Sequence, residues 1–441
     1  MMVMLVIMVM GAASFLVSSL SRSGLQIKRD QNTSEALAQA KEALIGYATS
    51  VNLFSGSARP GDLPCPDRNN DGVAESSCGD ASGSNQSQRI GRLPWMTLGL
   101  PDLRDGSGER LWYAVSNNFK NSTRTTCTSP GQSGCLNSDT VGTITVRSSD
   151  GNIINDATSG SGVVAVIIAP GDVLQRQGGA LQDRSSAGIN TASNYLDIAN
   201  GIDNASFTDS TTNGFIQGRI KDSNDNLIVN DQLLVISQNI IMQPLQKRVA
   251  AEVKLCLEDY ASNNIGRYPW AAPITDLGLT YNDNNDEYFG RIPDNLDQTW
   301  SDSYTGWPSY THLMSDQWGT CNTHTNNTPR AWWINWKEMV FYGVARRFRP
   351  NDTTALSFPS ICEASTTNCL KVNTSNTHAR FVVIVAGKKL STPNQANRNS
   401  NKSNAFYYLE GGNESADPSI GYNLFYQASP SSSFNDMLIY Q

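Results

Sequence analysis

One block of sequence occurs twice, and that constrains the fold more than anything else in the chain. Glu109 to Phe119 (ERLWYAVSNNF) returns as Glu338 to Phe348 (EMVFYGVARRF), with Glu, Tyr, Val and Phe at matching places and Trp112 answered by Phe341. Upstream, Gly91 to Trp95 (GRLPW) echoes Gly290 to Asp294 (GRIPD). Downstream, Val166 to Ala169 (VIIA) echoes Val383 to Ala386 (VIVA), and Asn230 to Leu234 (NDQLL) echoes Asn435 to Ile439 (NDMLI). The anchors keep their order, so a duplicated module is expected rather than scattered matches. Copy two is longer between its first two anchors, and the extra chain is the Trp-rich stretch at about 295–336.

Each copy opens with a helical pattern. From Asp30 to Val51, the residues Leu37, Ala40, Leu44, Tyr47 and Val51 recur at spacings of three and four, so they share a helix face that Thr33 or Ser34 can cap. In Asp231 to Ser262 the same spacing joins Ile241, Leu245, Val249, Val253, Cys256 and Tyr260, and Pro244 should kink this helix or start a second one. Val163 to Ala169 and Phe381 to Ala386 are continuous β-branched runs suited to buried central strands. Gly142 to Arg147, Phe215 to Ile220 and Phe406 to Leu409 are further strand candidates; 148–161, 171–193 and 388–404 read as polar loops. The expected class is α+β: a long N-terminal helix, then two tandem modules of helix plus antiparallel sheet. The expected divisions are 1–29, 30–230 and 231–441.

Ahead of the first module, Met1 to Leu20 carries no charge. Twenty helical residues span about 30 Å, the thickness of a bilayer core, so a retained membrane anchor is expected. The alternative is a cleaved signal peptide with Gly11 to Ala13 as its cleavage region. Arg22, Lys28 and Arg29 follow the span and by the positive-inside rule would hold the remainder in the cytoplasm. The cysteines argue for the outside, and a basic leader upstream of Met1 would reconcile the two.

Eight Cys, an even number, in a chain with 17% charged residues suggest an exported, disulfide-bonded protein. Proximity pairs Cys65 with Cys78, Cys127 with Cys135 and Cys362 with Cys369. Cys256 and Cys321 remain to tie the second helix to the insertion. There is no C-x-x-C pair for a metal site. A net charge of −7 removes the basic footprint of a nucleic-acid binder.

Asp67 to Glu75 (DRNNDGVAE) is the strongest chemical motif. Asp67, Asn69, Asp71 and Glu75 supply oxygens at positions 1, 3, 5 and 9, Val73 a backbone carbonyl at 7, and Gly72 the turn at 6, which is the pattern of a Ca²⁺ loop. A solvated Asn/Asp turn is the plainer alternative. Asp283 to Glu287 is a weaker version in copy two. In the insertion, Trp307, Trp318, Trp332 and Trp333 are candidates to bind a glycan or protein if exposed and core residues if buried. With 3 His, no H-E-x-x-H, and a Gly387-Lys388-Lys389 run lacking the first Gly of a phosphate loop, no catalytic centre is expected. Glu109 and Glu338 read as structural.

The layout of an apolar helix running into an amphipathic one, ALAQAKEALIGYA (Ala36 to Ala48), then a Pro-containing turn, resembles the N-terminal helix of type IV pilins. Gly266-Arg-Tyr-Pro-Trp270 is similar to the GxYP turn that follows the helix in pseudopilins of type II secretion. The resemblance covers the first 50 residues and 231–270. It implies a filament subunit held in the inner membrane by its helix, its globular part in the periplasm or on an extracellular filament, its partners other pilin or pseudopilin subunits, with calcium stabilising a loop. No Glu precedes Glu35, which points to a minor rather than a bulk subunit. An anchored adhesin using the Trp-rich insertion is the alternative, and an anchored hydrolase a distant third.

Overall fold

The structure, a computed structural model, describes residues 2–52, 59–82, 84–122, 124–129, 134–206, 214–264, 266–276, 281–296, 324–325, 328–350, 362, 369–373, 377–391, 395–416 and 424–441. Side chains are described from residue 24 onward, apart from 324–325, 328–329 and 377. The protein is α+β, with one long N-terminal helix and several small sheets. Two compact units divide it. The first comprises Met1–Tyr47, Asp62–Arg124 and Val141–Gln238, and the second Ala48–Gly61, Thr125–Thr140 and Asn239–Gln441.

The first unit begins with α1 (Met2–Thr49), a single continuous helix. No cap interrupts it at Thr33. That hydroxyl donates to Arg29 O at 2.9 Å and accepts Gly106 N–H at 2.9 Å, seating the helix on the loop at 105–107. Thr33, Ala36, Leu37, Ala40, Leu44 and Ala48 are buried, one stripe at spacings of three and four; of the expected face, Tyr47 is only half-buried and Val51 lies past the helix end at Thr49. Gly24 to Asn32 are exposed. Among the residues with described side chains, no helix is long and apolar enough to cross a membrane.

The sheet of this unit is four-stranded and antiparallel, ordered β1 (Ile90–Arg92), β2 (Trp112–Val115), β3 (Ala165–Ala169), β4 (Gln232–Ile236). One face of it carries Trp112, Ala114, Val166 and Ile168 and packs on Ile144, Val146, Tyr195 and Phe215. Val146 and Phe215 come from a small three-stranded sheet. Burial on both faces explains why β3 reads as an unbroken apolar run although every pairing is antiparallel.

The second unit repeats this plan. Helix α2 (Gln238–Asn263) buries Ile241, Leu245, Val249, Val253, Cys256 and Tyr260. It runs through Pro244 as one helix, where a kink or a new start was expected. Its sheet is ordered β5 (Phe289–Arg291), β6 (Val340–Val344), β7 (Phe381–Val385), β8 (Met437–Tyr440), again all antiparallel. Registers match as well as order: Gly91 pairs with Tyr113, and Gly290 with Tyr342.

Several expectations change. The copy boundary falls after β4, because Gln232 to Ile236 is the last strand of the first sheet and α2 starts only at Gln238. Trp112 pairs with Ile168 and Phe341 with Ile384, so Val166 corresponds to Val382, one residue from the Val383 that the sequence alignment chose. A run of near-identical β-branched residues cannot show that slip, yet it exchanges the faces of a strand. Phe406 to Leu409 forms no strand; Ala405–Tyr407 is a 3₁₀ turn in which the Asn404 side chain accepts the Phe406 N–H. The 148–161 loop contains a short strand, Ile153–Asn155.

Gly91 and Gly290 recur for a spatial reason. A loop residue pairs with the outer edge strand in each unit, Asp67 with Arg92 and Ala272 with Arg291. A Cβ on Gly91 would stand 2.6 Å from Asp67 O, and one on Gly290 2.0 Å from Ala272 O. We expect Gly290→Ala to lower unfolding free energy by about 2–4 kcal/mol, measured by urea titration; a loss under about 0.5 kcal/mol would mean that the loop yields freely.

Candidate functional site

The Asp67–Glu75 loop is closed by its own side chains. Asp67 is fully buried; its Oδ1 accepts Asn70 N–H at 2.6 Å and its Oδ2 accepts Gly72 N–H at 2.7 Å. Burial pushes its carboxyl above the usual range, and those backbone donors pull it partly back. Asn69 Oδ1 accepts Asp71 N–H at 3.0 Å, and Asp71 Oδ1 accepts Val73 N–H at 2.8 Å. Arg68 N–H reaches Glu75 Oε1 at 3.4 Å. Gly72 has φ +86°, the turn its sequence position required. The Cys65–Cys78 disulfide brackets the loop with a Cα–Cα distance of 5.6 Å. Among the described residues, no group of three or more His, Cys, Asp or Glu is placed to hold a metal ion. The place of Asp67 against the edge strand belongs to Ala272 in the second unit, and Asp283 lies further along, pairing its N–H with Asn295 O.

Cys127–Cys135 and Cys362–Cys369 are also bonded, with Cα–Cα distances of 4.5 and 5.8 Å. Cys256 is disulfide-bonded too, while Cys321 lies outside the described residues. Trp307 and Trp318 fall outside them as well. Trp332 and Trp333, the other two binding candidates, are 1% and 0% exposed. They stack edge to face at 5.6 Å, and Trp333 Nε1 donates to Asp294 Oδ1 at 3.1 Å. With no exposed face, they build core.

The most developed polar constellation was not found from sequence, and it too occurs twice. In the first unit the Tyr195 ring lies between two guanidiniums, Arg92 at 3.9 Å and Arg184 at 5.0 Å from its centroid. In the second, Tyr408 lies between Arg291 at 4.3 Å and Arg398 at 4.8 Å. Arg92 also covers Trp112 at 4.4 Å, and Arg291 covers Phe341 at 4.1 Å. The recurring glutamates attach here. Glu109 lies 3.3 Å from Arg184, and Glu338 accepts the Tyr408 hydroxyl at 2.6 Å.

Beside each stack is a pair of buried acids. Asp231 Oδ2 accepts Asp197 N–H at 2.8 Å, and Asp197 Oδ2 accepts Asn230 N–H at 2.8 Å. In the second unit, Asp436 accepts Glu410 N–H at 2.9 Å, and Glu410 accepts Asn435 N–H at 3.0 Å. Gln182 donates to Asp197 at 2.9 Å, and Gln395 to Glu410 at 2.6 Å. Each Gln in turn accepts from the stack arginine, Arg184 or Arg398, at 2.9 Å. A sequence signal for these pairs exists in Tyr195-Leu196-Asp197 and Tyr408-Leu409-Glu410. Gly387-Lys388-Lys389, weighed as a phosphate loop, belongs to this frame: Arg398 donates to Gly387 O at 2.9 Å and Asn435 to Lys388 O at 2.7 Å.

Comparison with protein-family models, with curated proteins and with solved structures finds no match to this chain.

Burial raises the acids of both pairs, and the facing carboxyl raises Asp231 and Asp436 further. Asp197 is pushed up to about 6, chiefly by burial, and Asp231 and Asp436 rise well above their usual range by burial and by the facing carboxyl. An acid raised in the folded state favours folding below its unfolded value and loses that contribution as pH rises through the folded one. Thermal stability is therefore expected to fall between about pH 4 and pH 7 by on the order of 1–3 kcal/mol. Asp231→Asn should raise Tm at pH 7.5 and flatten this slope; a lower Tm at pH 7.5 would refute the penalty assigned to ionising this buried acid.

Proposed function

We propose that this chain is a structural subunit of the type IV pilus or type II secretion class, a minor pilin or pseudopilin-like part that assembles through its N-terminal helix. The observation that carries this reading is α1. Its C-terminal part, from Thr33, buries one stripe of residues against its own unit, while Gly24 to Asn32 are exposed, with Leu25 and Ile27 at 66% and 67%. The same helix continues N-terminally into the charge-free stretch at 1–20. An apolar helix of that length needs a cover, and a bilayer or a bundle of like helices supplies one. On this reading residues 1–29 lie in the inner membrane, the disulfide-bonded units outside it, and no chemistry is performed.

Removal of residues 2–23 tests this. The globular part is expected to keep its Tm and lose both membrane association and co-purification with other helix-anchored subunits. Full-length protein found only in the soluble fraction, or a mature N-terminus near Ser14, would overturn the reading.

For the Asp67–Glu75 loop we propose Ca²⁺, on the strength of its all-oxygen donor set within a disulfide-closed turn. Each carboxylate oxygen that accepts an N–H keeps a second lone pair. Millimolar Ca²⁺ should raise Tm by several degrees in the parent and not in Asp71→Ala. No response to Ca²⁺ or to chelator leaves the loop as a self-closed turn.

A further inference from the structure

The second unit contains chain from the first half of the sequence, residues 48–61 and 125–140. The latter segment is built in. Leu136 is fully buried, and its N–H donates to Asn335 Oδ1 at 2.6 Å. Asn137 Nδ2 returns a bond to Asn335 O at 3.1 Å. The buried Ser138 hydroxyl donates to Ala386 O, just beyond β7, at 2.6 Å. Asp139 Oδ1 accepts Lys389 N–H at 2.9 Å and Arg398 Nη1 at 2.8 Å. Arg398 is the second unit's stack arginine, with its side chain 1% exposed.

Comparison of the two copies shows why this matters. In the first unit the stack arginine, Arg184, finds its carboxylate within its own copy, from Glu109. In the second, the matching Glu338 has turned to Tyr408 and Lys402, and the carboxylate on Arg398 comes from Asp139. A buried guanidinium left without its anion is strongly destabilising.

We infer that the second unit carries a peptide-accepting site between Asn335, the chain just beyond the end of β7 and the Arg398 stack, and that its occupant is the arm at 125–140 of the same chain. The arm is a clasp: Leu136 is its apolar anchor, Asn137 and Ser138 read backbone carbonyls, and Asp139 neutralises Arg398. The Cys127–Cys135 disulfide closes the arm just before its anchor, so little freedom is lost when it docks. The second module is therefore incomplete as residues 239–441 alone, and the duplication can be separated in sequence but not in folding.

Hydrogen exchange on the full chain tests this. Asp139→Ala should speed amide exchange at Phe381–Val385 and Met437–Tyr440 by at least tenfold, and leave Ala165–Ala169 unchanged. Glu109→Gln should show the reverse pattern. Should Asp139→Ala not fold, Asp139→Asn, which keeps an oxygen for Lys389 N–H, and the Cys127→Ser/Cys135→Ser pair give smaller increases at the same second-unit amides. Unchanged exchange at those amides, or equal acceleration in both units, would overturn the proposal.

Discussion

A tyrosine ring held between two arginines is the joint on which each unit depends. Arg92 and Arg291 project from the outer edge strand, and Arg184 and Arg398 from the long loop after the third strand. The ring between them brings edge and loop together over the sheet. Burying a guanidinium is costly, and here backbone carbonyls take part of its donors, Arg110 O and Ile189 O from Arg92, Gly387 O and Tyr408 O from Arg398. The stack contributes cation–π attraction of about 1–2 kcal/mol per desolvated contact. Its larger role is to fix where the loop returns to the sheet, and so where the buried acid pair forms.

The duplication persists in backbone order, in register and in this polar interior, although the modules share few residues outside the anchors. What diverged is informative. The Asp67 loop has Ala272 at the matching place, and the second unit adds the tryptophan core of Trp332, Trp333 and Trp336. The carboxylate that serves the stack arginine comes from a different part of the chain in each copy. Duplicated domains relax where one neighbour can supply what the other lost, and hold where a buried charge would otherwise stand alone.

Much of this was legible in the sequence. Helical faces followed from spacing, because α1 and α2 each bury one stripe. The repeat anchors marked strands, because Gly91 and Gly290 meet the same close approach. Three disulfides followed from proximity. The slip between Val383 and Val382 was invisible because neighbouring β-branched residues are interchangeable in a doubly buried strand. Asp197, Asp231, Glu410 and Asp436 were missed for another reason. A lone acid in a polar chain looks solvated, and only repetition hints that it is buried: the Tyr-Leu-acid triplet for Asp197 and Glu410, and the Asn-Asp of the last anchor for Asp231 and Asp436. The arm at 125–140 escaped notice because it is short and polar, and its partners lie some 200 residues away in sequence.

The loop residues bonded to the edge strands have a consequence for association. Asp67 exchanges both backbone hydrogen bonds with Arg92, and Ala272 does the same with Arg291. The outer edge of each four-stranded sheet is thus already occupied at that point by its own chain. An exposed edge invites another strand, whether from a like molecule or an unfolded one. Here that invitation is withdrawn on one side of both sheets. Copies crowded together at high local concentration are steered away from strand-to-strand growth there, and toward contacts made by side chains.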